Sequence, residues 1–400
     1  MFLCNSKIKV YICIKLRVMI DRTLREKMLY LSTKFPFVLV TGPRQSGKST
    51  LVRHTFPEYA YVSLEELDNR RFAEEDPRGF IYEYPDKTII DEVQRVPKLL
   101  SYLQTHTDLA GKNGMYILTG SQNFQLLSSV DQSLAGRVAV LTLLPFSHVE
   151  MRDGDILPQN IDEEIFNGSY PRLYDSGLSA NDYYPSYIDT YVERDVRSIK
   201  DIGNLSAFIR LIKLCAGRIG QLLNMSSLAT ECGVTIPTIN SWLSVLQSSY
   251  IIYLLQPDHR NFSKRLVKTP KLYFYDTGLA CSLLEIKQAS QVSTHYLRGS
   301  LFENMVINEF TKRCFNTGDR PSFTFWRDSN GNEVDLLINE GNHIKAVEIK
   351  SGQTYNSDYF KNLKYWGNLS GVDNAHRCVV YGGSQHRNTS DGELLPWSTL

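Results

Sequence analysis

The stretch FVLVTGPRQSGKST at residues 37–50 decides the fold of the N-terminal part of this chain. Its first five residues are apolar and β-rich, and residues 42–49 match the pattern GxxxxGK[ST]. Glycines in such a loop let backbone N–H groups approach phosphate oxygens without a Cβ in the way. The N-terminus of the helix that follows adds a favourable dipole. The sequence therefore predicts a phosphate-binding loop between a buried strand and a helix.

The residue types of this loop predict how it would hold a nucleotide. We expect Lys48 to neutralise the β- and γ-phosphates of ATP and the Ser49 hydroxyl to ligate Mg²⁺. The residues predicted to contact the nucleotide are Gly42, Pro43, Arg44, Gln45, Ser46, Gly47, Lys48, Ser49 and Thr50.

A second short apolar run, residues 88–90, leads into the acids Asp91 and Glu92. An acidic pair after a strand is most often a solvated strand end, but the phosphate loop upstream favours a functional interpretation. Asp91 is predicted to hold the Mg²⁺ water shell, and Glu92 to polarise the attacking water. Both residues are therefore predicted to be catalytic.

Three further residues are candidates for the same site, each with an open alternative. Thr119 and Ser121 follow a strand and could sense the γ-phosphate, or they could be satisfied hydroxyls of a glycine turn. Arg137 lies just before another strand and could act as an arginine finger on a neighbouring subunit. The alternative is a surface arginine stabilised by a helix end.

Length and composition limit the architecture. A chain of 400 residues predicts two to three domains, and its net charge of +1 excludes a wholly basic nucleic-acid-coating protein. Short β-rich runs alternate with helical stretches over residues 35–150, which indicates a parallel α/β sheet. Scattered cysteines without a CxxC pair, and the lack of an apolar run of ~18 to 20 residues, favour a cytoplasmic protein without a membrane partner.

The middle of the chain has helix-turn-helix spacing. A short helix at residues 226–233 and a longer one at 236–250 are followed by strands at 251–255 and 271–275, a pattern that predicts a winged helix. The segment between the strands carries Arg260, Lys264, Arg265 and Lys268 with Phe262, which suits contacts with a phosphate backbone. The exposed side of the second helix has no arginine or lysine, so DNA contact through the wing and a pure packing role both remain open.

The last part of the chain carries a second candidate site. Asp335 followed by Glu348 and Lys350 matches the pattern D…(D/E)xK on two predicted strands. Glu348 and Lys350 are two residues apart and therefore share one face of a strand. We expect Asp335 and Glu348 to ligate Mg²⁺ with Glu303 as an outer acid, and Lys350 to stabilise charge on a scissile phosphate. A chance match to this loose pattern is the alternative.

Taken together, these motifs resemble a family of bacterial and archaeal AAA-type P-loop ATPases. The resemblance rests on residues 42–49, 90–94, 119–121, 135–137 and 145–147, with the run at 191–195 as a further signature, and covers nearly everything after Met19. It implies a C-terminal domain of unknown function with a restriction-endonuclease-like, PD-(D/E)xK core. The predicted divisions are an extension outside the fold at 1–18, an ATPase domain at 19–155, a helical and winged-helix region at 160–280, and a nuclease-like α/β domain at 290–400.

The first functional hypothesis is an ATPase coupled to DNA binding and to Mg²⁺-dependent DNA cleavage. The second is a nucleotide-gated regulatory or scaffold protein whose C-terminal core binds DNA or a partner without cutting, and the near-neutral charge favours it. A stand-alone transcription-type regulator is a third. If Arg137 is a finger, a homo-oligomer is implied.

Overall fold

The computed structural model describes residues 19–121, 134–191, 202–258, 260, 267–341, 343–373 and 376–400. Several predicted features lie outside these ranges, namely the extension at 1–18, the 192–195 part of the family signature, and the basic tip at 261–266. None of the helices in the described ranges is both long enough and apolar enough to cross a lipid bilayer.

The N-terminal part contains the predicted parallel sheet. Its strands are β1 (Phe37–Thr41), β2 (Ala60–Ser63), β3 (Thr88–Asp91), β4 (Tyr116–Thr119) and β5 (Val138–Thr142). They pair in the order β2-β3-β4-β1-β5, and every pairing is parallel. The α/β prediction for this region is therefore confirmed. All five residues of the inner strand β1 are buried, as expected for a parallel strand covered on both faces.

Helices cover both faces of this sheet. They are α1 (Leu24–Ser32), α2 (Lys48–Thr55), α3 (Leu67–Glu75), α4 (Pro77–Glu83) and α5 (Leu99–Ala110). Successive residues of β1 point to opposite faces, so Phe37 and Leu39 join a core with α3, α4 and α5, while Val38 joins the core beneath α1 and α2. Both cores therefore hold β1 in place, and its carboxyl end leads into the phosphate loop.

The next region is mainly helical, as predicted. Its helices are α6 (His148–Asp153), α7 (Ile161–Asn167), α8 (Pro171–Ser176), α9 (Ala180–Tyr187), α10 (Leu205–Ala216), α11 (Met225–Cys232), α12 (Ile236–Ser248), α13 (Thr277–Leu283) and α14 (Ala289–Val292). Gly233 ends α11 with a φ of +69°, and the Thr235 side chain caps α12 by accepting the Thr238 N–H at 3.3 Å. The two helices and their turn thus follow the predicted spacing.

The remaining strands form one mixed sheet. They are β6 (Ile252–Pro257), β7 (Lys271–Phe274), β8 (Phe323–Arg327), β9 (Glu333–Asn339), β10 (Ile344–Lys350), β11 (Arg377–Tyr381), β12 (Arg387–Thr389) and β13 (Gly392–Pro396). Their order is β12-β13-β11-β10-β9-β8-β6-β7. The long helix α15 (Arg298–Asn316) and α16 (Lys361–Ser370) cover it.

Two features of this sheet differ from the sequence expectation. The predicted wing, β6 and β7, forms an antiparallel pair, but β6 also pairs in parallel with β8 through Gln256 and Pro257. The hairpin is therefore the end of the C-terminal sheet and not a free wing. The sequence pattern also predicts that a strand at Cys378–Tyr381 is the last one, whereas β12 and β13 follow it. The edge strand β12 escapes prediction because it is only three residues long and largely exposed.

A buried ionic network joins the N-terminal part to α15. The Lys312 ammonium donates to Glu309 Oε1 at 2.6 Å, to the Phe146 carbonyl at 2.7 Å and to Ser169 Oγ at 2.9 Å. The other Glu309 oxygen accepts the His148 N–H at 2.6 Å. Burial would raise the pKa of Glu309, but His148 and Lys312 together hold it below its ordinary value. The network therefore keeps a buried carboxylate charged at the junction.

Replacing Lys312 by methionine should lower the free energy of unfolding by ~3–5 kcal/mol, because Glu309 would remain buried without its counter-ion. The control is Lys364→Met, which breaks the Lys364–Asp391 pair at 2.7 Å, where the lysine is 45 % exposed. An exposed pair contributes about 1 kcal/mol or less. Urea unfolding of both variants measures the difference, and equal losses would contradict a structural role for the network.

Candidate functional site

The phosphate loop leaves the carboxyl end of β1 through a strained backbone. Gly42 has a φ of +141°, and a Cβ there would lie 2.1 Å from the Leu143 carbonyl oxygen. Gln45 and Gly47 also have positive φ values, of 63° and 92°. These conformations curl the backbone around the start of α2, as a phosphate cradle requires.

Lys48 lies inside this curl. Its ammonium donates to the carbonyls of Gly42 at 3.0 Å and Pro43 at 2.7 Å. Burial lowers the pKa of Lys48 to about 8, although the negative charges of Glu92 and Asp91 act to raise it. A buried cation held mainly by neutral carbonyls is short of negative charge, which a triphosphate would supply.

Asp91 is the centre of the second half of the site. Its carboxylate accepts the Ser49 hydroxyl at 3.0 Å and the Tyr61 hydroxyl at 2.7 Å, and it also accepts the Thr119 hydroxyl. The loop serine and the acid at the end of β3 thus meet, as the sequence predicted. Tyr61 was not predicted from the sequence, since no motif marks it. In β2 it alternates with the buried Val62 and therefore lies on the opposite face of that strand.

Glu92 lies next to Asp91 but outside the strand, with a φ of 56°. Its carboxylate accepts the Ser121 hydroxyl at 3.2 Å and a hydrogen bond from the Gln94 amide. Thr119 and Ser121 are thus both beside the acids, which fits a polar cluster at the carboxyl ends of β3 and β4. Their predicted contact with the γ-phosphate stays a prediction.

The remaining loop residues differ in their surroundings. Thr50 and Gln45 are exposed, and Arg44 lies 3.6 Å from Glu65. Ser46 is fully buried, and its carbonyl accepts Nη1 of Arg22 at 2.8 Å. Arg22 was not predicted from the sequence, since it precedes α1 and carries no motif.

Arg22 ties the loop to the following region. Its Nη2 donates to the Leu144 carbonyl at 2.6 Å, and its Nε lies 3.1 Å from Glu150. The guanidinium also lies over the Phe146 ring, 4.9 Å from the centroid. The buried guanidinium of Arg22 therefore holds the loop, at Ser46, against α6 and against the segment that precedes α6.

Arg137 lies far from this site in its own chain. It precedes β5, whose first residue pairs with Phe37, the first residue of β1. The loop follows the last residue of β1, whereas Arg137 lies at the amino ends of β1 and β5. Arg137 and the loop are therefore at opposite ends of the strands. Its guanidinium contacts Asp108 at 2.6 and 3.0 Å and is 36 % exposed. It cannot serve the nucleotide of its own chain, and its role as a finger on another subunit stays a prediction.

The second candidate site lies on β9 and β10. Lys350 Nζ is 2.6 Å from Glu348 Oε1 and 4.0 Å from Asp335 Oδ2, and Asp335 also accepts the Ile349 N–H at 2.8 Å. Burial raises the pKa of Asp335 and of Glu348. Among the described residues, the buried Oε2 of Glu348 has no hydrogen-bond partner. The three predicted residues thus meet, and one of their carboxylate oxygens is buried without a described donor.

Glu303 of α15 belongs to the same cluster. One ligand atom each of Glu303, Glu333 and Asp335 lie within 4.8 Å of one another, a spacing that suits a metal ion. Lys271 of β7 contacts Glu303 at 2.9 Å and also Glu333. Glu333 was not predicted from the sequence. Its position two residues before Asp335 could have indicated it, because residues two apart share one face of a strand. Lys271 carries no such signal, because only the pairing of β6 with β8 brings β7 to this sheet.

The basic segment of the middle region is only partly described. Arg260 pairs with Asp258 at 2.6 Å, while Lys268 is exposed. No arginine or lysine lies within α12, in agreement with the sequence. The structure therefore gives no support for direct contacts between this helix and DNA bases, and DNA binding stays a prediction.

Comparison with known families assigns the N-terminal part. Residues 34–152 match the AAA domain family. This match and the geometry of the loop support a P-loop ATPase domain at the start of the chain. Residues 158–290 match a domain of unknown function, DUF8612, and residues 298–400 match another, DUF4143.

Two curated relatives are similar over most of the chain. Uncharacterized proteins of Mycobacterium bovis and Mycobacterium tuberculosis are each 28 % identical over 361 residues, covering 89 % of this chain and 78 % of the relative. Among solved structures, a Walker-type ATPase of Pyrococcus abyssi is 16 % identical with a TM-score of 0.47, covering 67 % of this chain and 96 % of that one. AMPPCP-bound DnaA of Aquifex aeolicus is 13 % identical with a TM-score of 0.28, covering 56 % and 85 %.

Replacing Gly42 by alanine should destabilise the fold by clearly more than the ~1–2 kcal/mol that a positive φ costs, because the new Cβ would collide with the Leu143 carbonyl. Gly111→Ala is the matched control, since Gly111 has a φ of +61° and open space around its Cβ. Urea unfolding compares the two. Equal destabilisation would show that the contact between the loop and the segment after β5 is unimportant.

Proposed function

We propose that this chain binds and hydrolyses ATP as an AAA-type ATPase. The observation that carries the proposal is the meeting of Lys48, Ser49 and Asp91 at the carboxyl end of the parallel sheet. A lysine buried among carbonyls, a hydroxyl on an acid and a curled backbone are the parts that P-loop ATPases share. The AAA domain match over residues 34–152 supports the same conclusion.

The residues present fit a nucleotide with Mg²⁺. Positive φ values at Gly42 and Gly47 open the cradle, and Lys48 lacks a direct carboxylate partner among its described hydrogen bonds. Ser49 and Asp91 would hold Mg²⁺, which neutralises charge on the phosphates. Glu92 would orient and polarise water, and its bonds to Ser121 and Gln94 fix its carboxylate for this task.

Lys48→Met should abolish measurable ATP turnover and strongly weaken nucleotide binding, because the buried ammonium is lost. Glu92→Gln should retain nucleotide binding but reduce turnover by about 10²-fold or more, the usual contribution of a general base. Phosphate release and calorimetric titration with ATP measure the two effects. Lys112→Met, at a lysine 68 % exposed in the same domain, is the control and should behave as wild type. Unchanged turnover in Lys48→Met would refute the ATPase proposal.

For the C-terminal part we propose a DNA-binding core with a metal-dependent nuclease-like centre. Its support is the convergence of Asp335, Glu348 and Lys350, together with the unpartnered Glu348 oxygen. The carboxylates would hold Mg²⁺, which would polarise a phosphoryl oxygen, and Lys350 would stabilise developing charge. ATP turnover in the N-terminal domain would control how this centre and the helical region engage DNA.

Asp335→Asn and Lys350→Met should remove any Mg²⁺- or Mn²⁺-dependent nicking of plasmid DNA and leave ATP turnover unchanged, since both residues lie on a different sheet from the phosphate loop. Gel assays with single-stranded, duplex and branched DNA test this, and Lys364→Met is the control. Cleavage that survives Asp335→Asn would exclude this centre. An absence of cleavage in the wild type under all these conditions would leave the second function below.

The second candidate is a nucleotide-gated regulatory or scaffold protein whose C-terminal core cuts nothing. The observation that favours it is that Lys271, Lys350 and Arg327 already neutralise most of the acidic cluster. In this proposal Arg137 would contact a second copy in a cytoplasmic homo-oligomer, with the nucleotide as the switch. ATP-dependent assembly without DNA cleavage would distinguish it.

A further inference from the structure

The acidic cluster contains more carboxylates than one metal ion needs. Two regions can be distinguished within it, a pair formed by Asp335 and Glu348 and a pair formed by Glu303 and Glu333. Lys350 reaches only the first pair among its described contacts, at 2.6 Å from Glu348 and 4.0 Å from Asp335. Asp335 lies between the two pairs, because it is also within 4.8 Å of Glu303 and Glu333.

Lys271 occupies the second region. Its side chain is only 3 % exposed, and its ammonium contacts both Glu303 Oε1, at 2.9 Å, and Glu333 Oε1. The Tyr273 hydroxyl donates to the same Glu303 oxygen, and Arg327 holds the other Glu333 oxygen at 2.9 Å. Three of the four carboxylate oxygens on this side, Glu303 Oε1 and both oxygens of Glu333, therefore already contact cations or a hydroxyl.

The first region is different. Glu348 is 2 % exposed, and its Oε2 has no hydrogen-bond partner among the described residues. A buried carboxylate oxygen without a donor is costly, and a bound cation relieves that cost. Four carboxyl groups face only three basic side chains, Lys271, Lys350 and Arg327, so the described cluster has more acidic than basic groups.

We infer that the ammonium of Lys271 permanently occupies the place of a metal ion between Glu303 and Glu333. The cluster therefore binds one divalent ion, beside Asp335 and Glu348, and does not bind a second. The inference rests on the metal-dependent centre proposed above and specifies its stoichiometry. In this proposal the centre uses a single ion together with Lys350, and Lys271 is a positioning residue that holds Glu303 and Glu333 in place. Lys271 comes from the stretch matched by DUF8612, whereas the carboxylates belong to the DUF4143 stretch, so the centre is complete only when both are present.

The test is a calorimetric titration of the full chain with Mn²⁺, without nucleotide and in an Asp91→Asn background that silences the N-terminal metal site. In that background we expect one Mn²⁺ per chain, lost on Glu348→Gln. Adding Lys271→Met should expose the Glu303–Glu333 side and raise the stoichiometry to two. Adding Lys345→Met, at a lysine that lies 3.7 Å from Glu393 outside the cluster, should leave it at one.

A second measurement does not depend on the folding of Lys271→Met. In the Asp91→Asn background with Lys271 intact, Glu303→Gln should change the Mn²⁺ affinity by no more than about twofold, because Glu303 already binds Lys271 and not the ion. If Glu303 were a ligand of the ion, the same substitution would lower the affinity more than tenfold. Two ions with Lys271 intact, one ion in a folded Lys271→Met chain, or a strong effect of Glu303→Gln would each overturn the inference. If no chain binds Mn²⁺, the proposed metal centre itself fails, and the ATPase proposal is unaffected.

Discussion

A charged side chain that leaves water must find opposite charge or hydrogen-bond partners within a few ångströms, and the sites of this chain are built around such groups. Lys48 is buried among backbone carbonyls in the phosphate loop. Lys271 is buried among carboxylates in the C-terminal sheet. The first arrangement has a deficit of negative charge and suits a polyphosphate, whereas the second already contains its counter-ion. The same physical constraint thus leaves the two sites with different charge balances.

The regions of the chain are connected by hydrogen bonds as well as by packing. The β6–β7 hairpin extends the C-terminal sheet through β8, and Lys312 links α15 to the carbonyl of Phe146 and to Ser169. Arg22 in turn links the segment containing Phe146 to the wall of the phosphate loop. A continuous series of buried polar contacts therefore runs from the loop to the helix that supplies Glu303. This series connects the phosphate loop to the helix that packs on the C-terminal sheet.

Much of the placement of the candidate site residues was predictable because it depends on short-range patterns. The strand before the loop, the positions of Lys48 and Ser49, and the D…ExK spacing all follow from residues close together in the sequence or from a period of two along a strand. The helix-turn-helix spacing was likewise visible, since Gly233 and Thr235 mark a helix end and a helix start. Edge strand β12 was missed because three residues, two of them exposed, leave no periodic signal.

The sequence by itself determined the parallel sheet with its phosphate loop, since apolar runs and glycines specify local backbone conformation and burial. Only the tertiary structure decided which distant groups complete each site. It placed Tyr61 on Asp91, Arg22 against Ser46, and Lys271 between Glu303 and Glu333. These contacts join segments that are remote in sequence, and their formation depends on sheet order and helix packing, which no local pattern encodes.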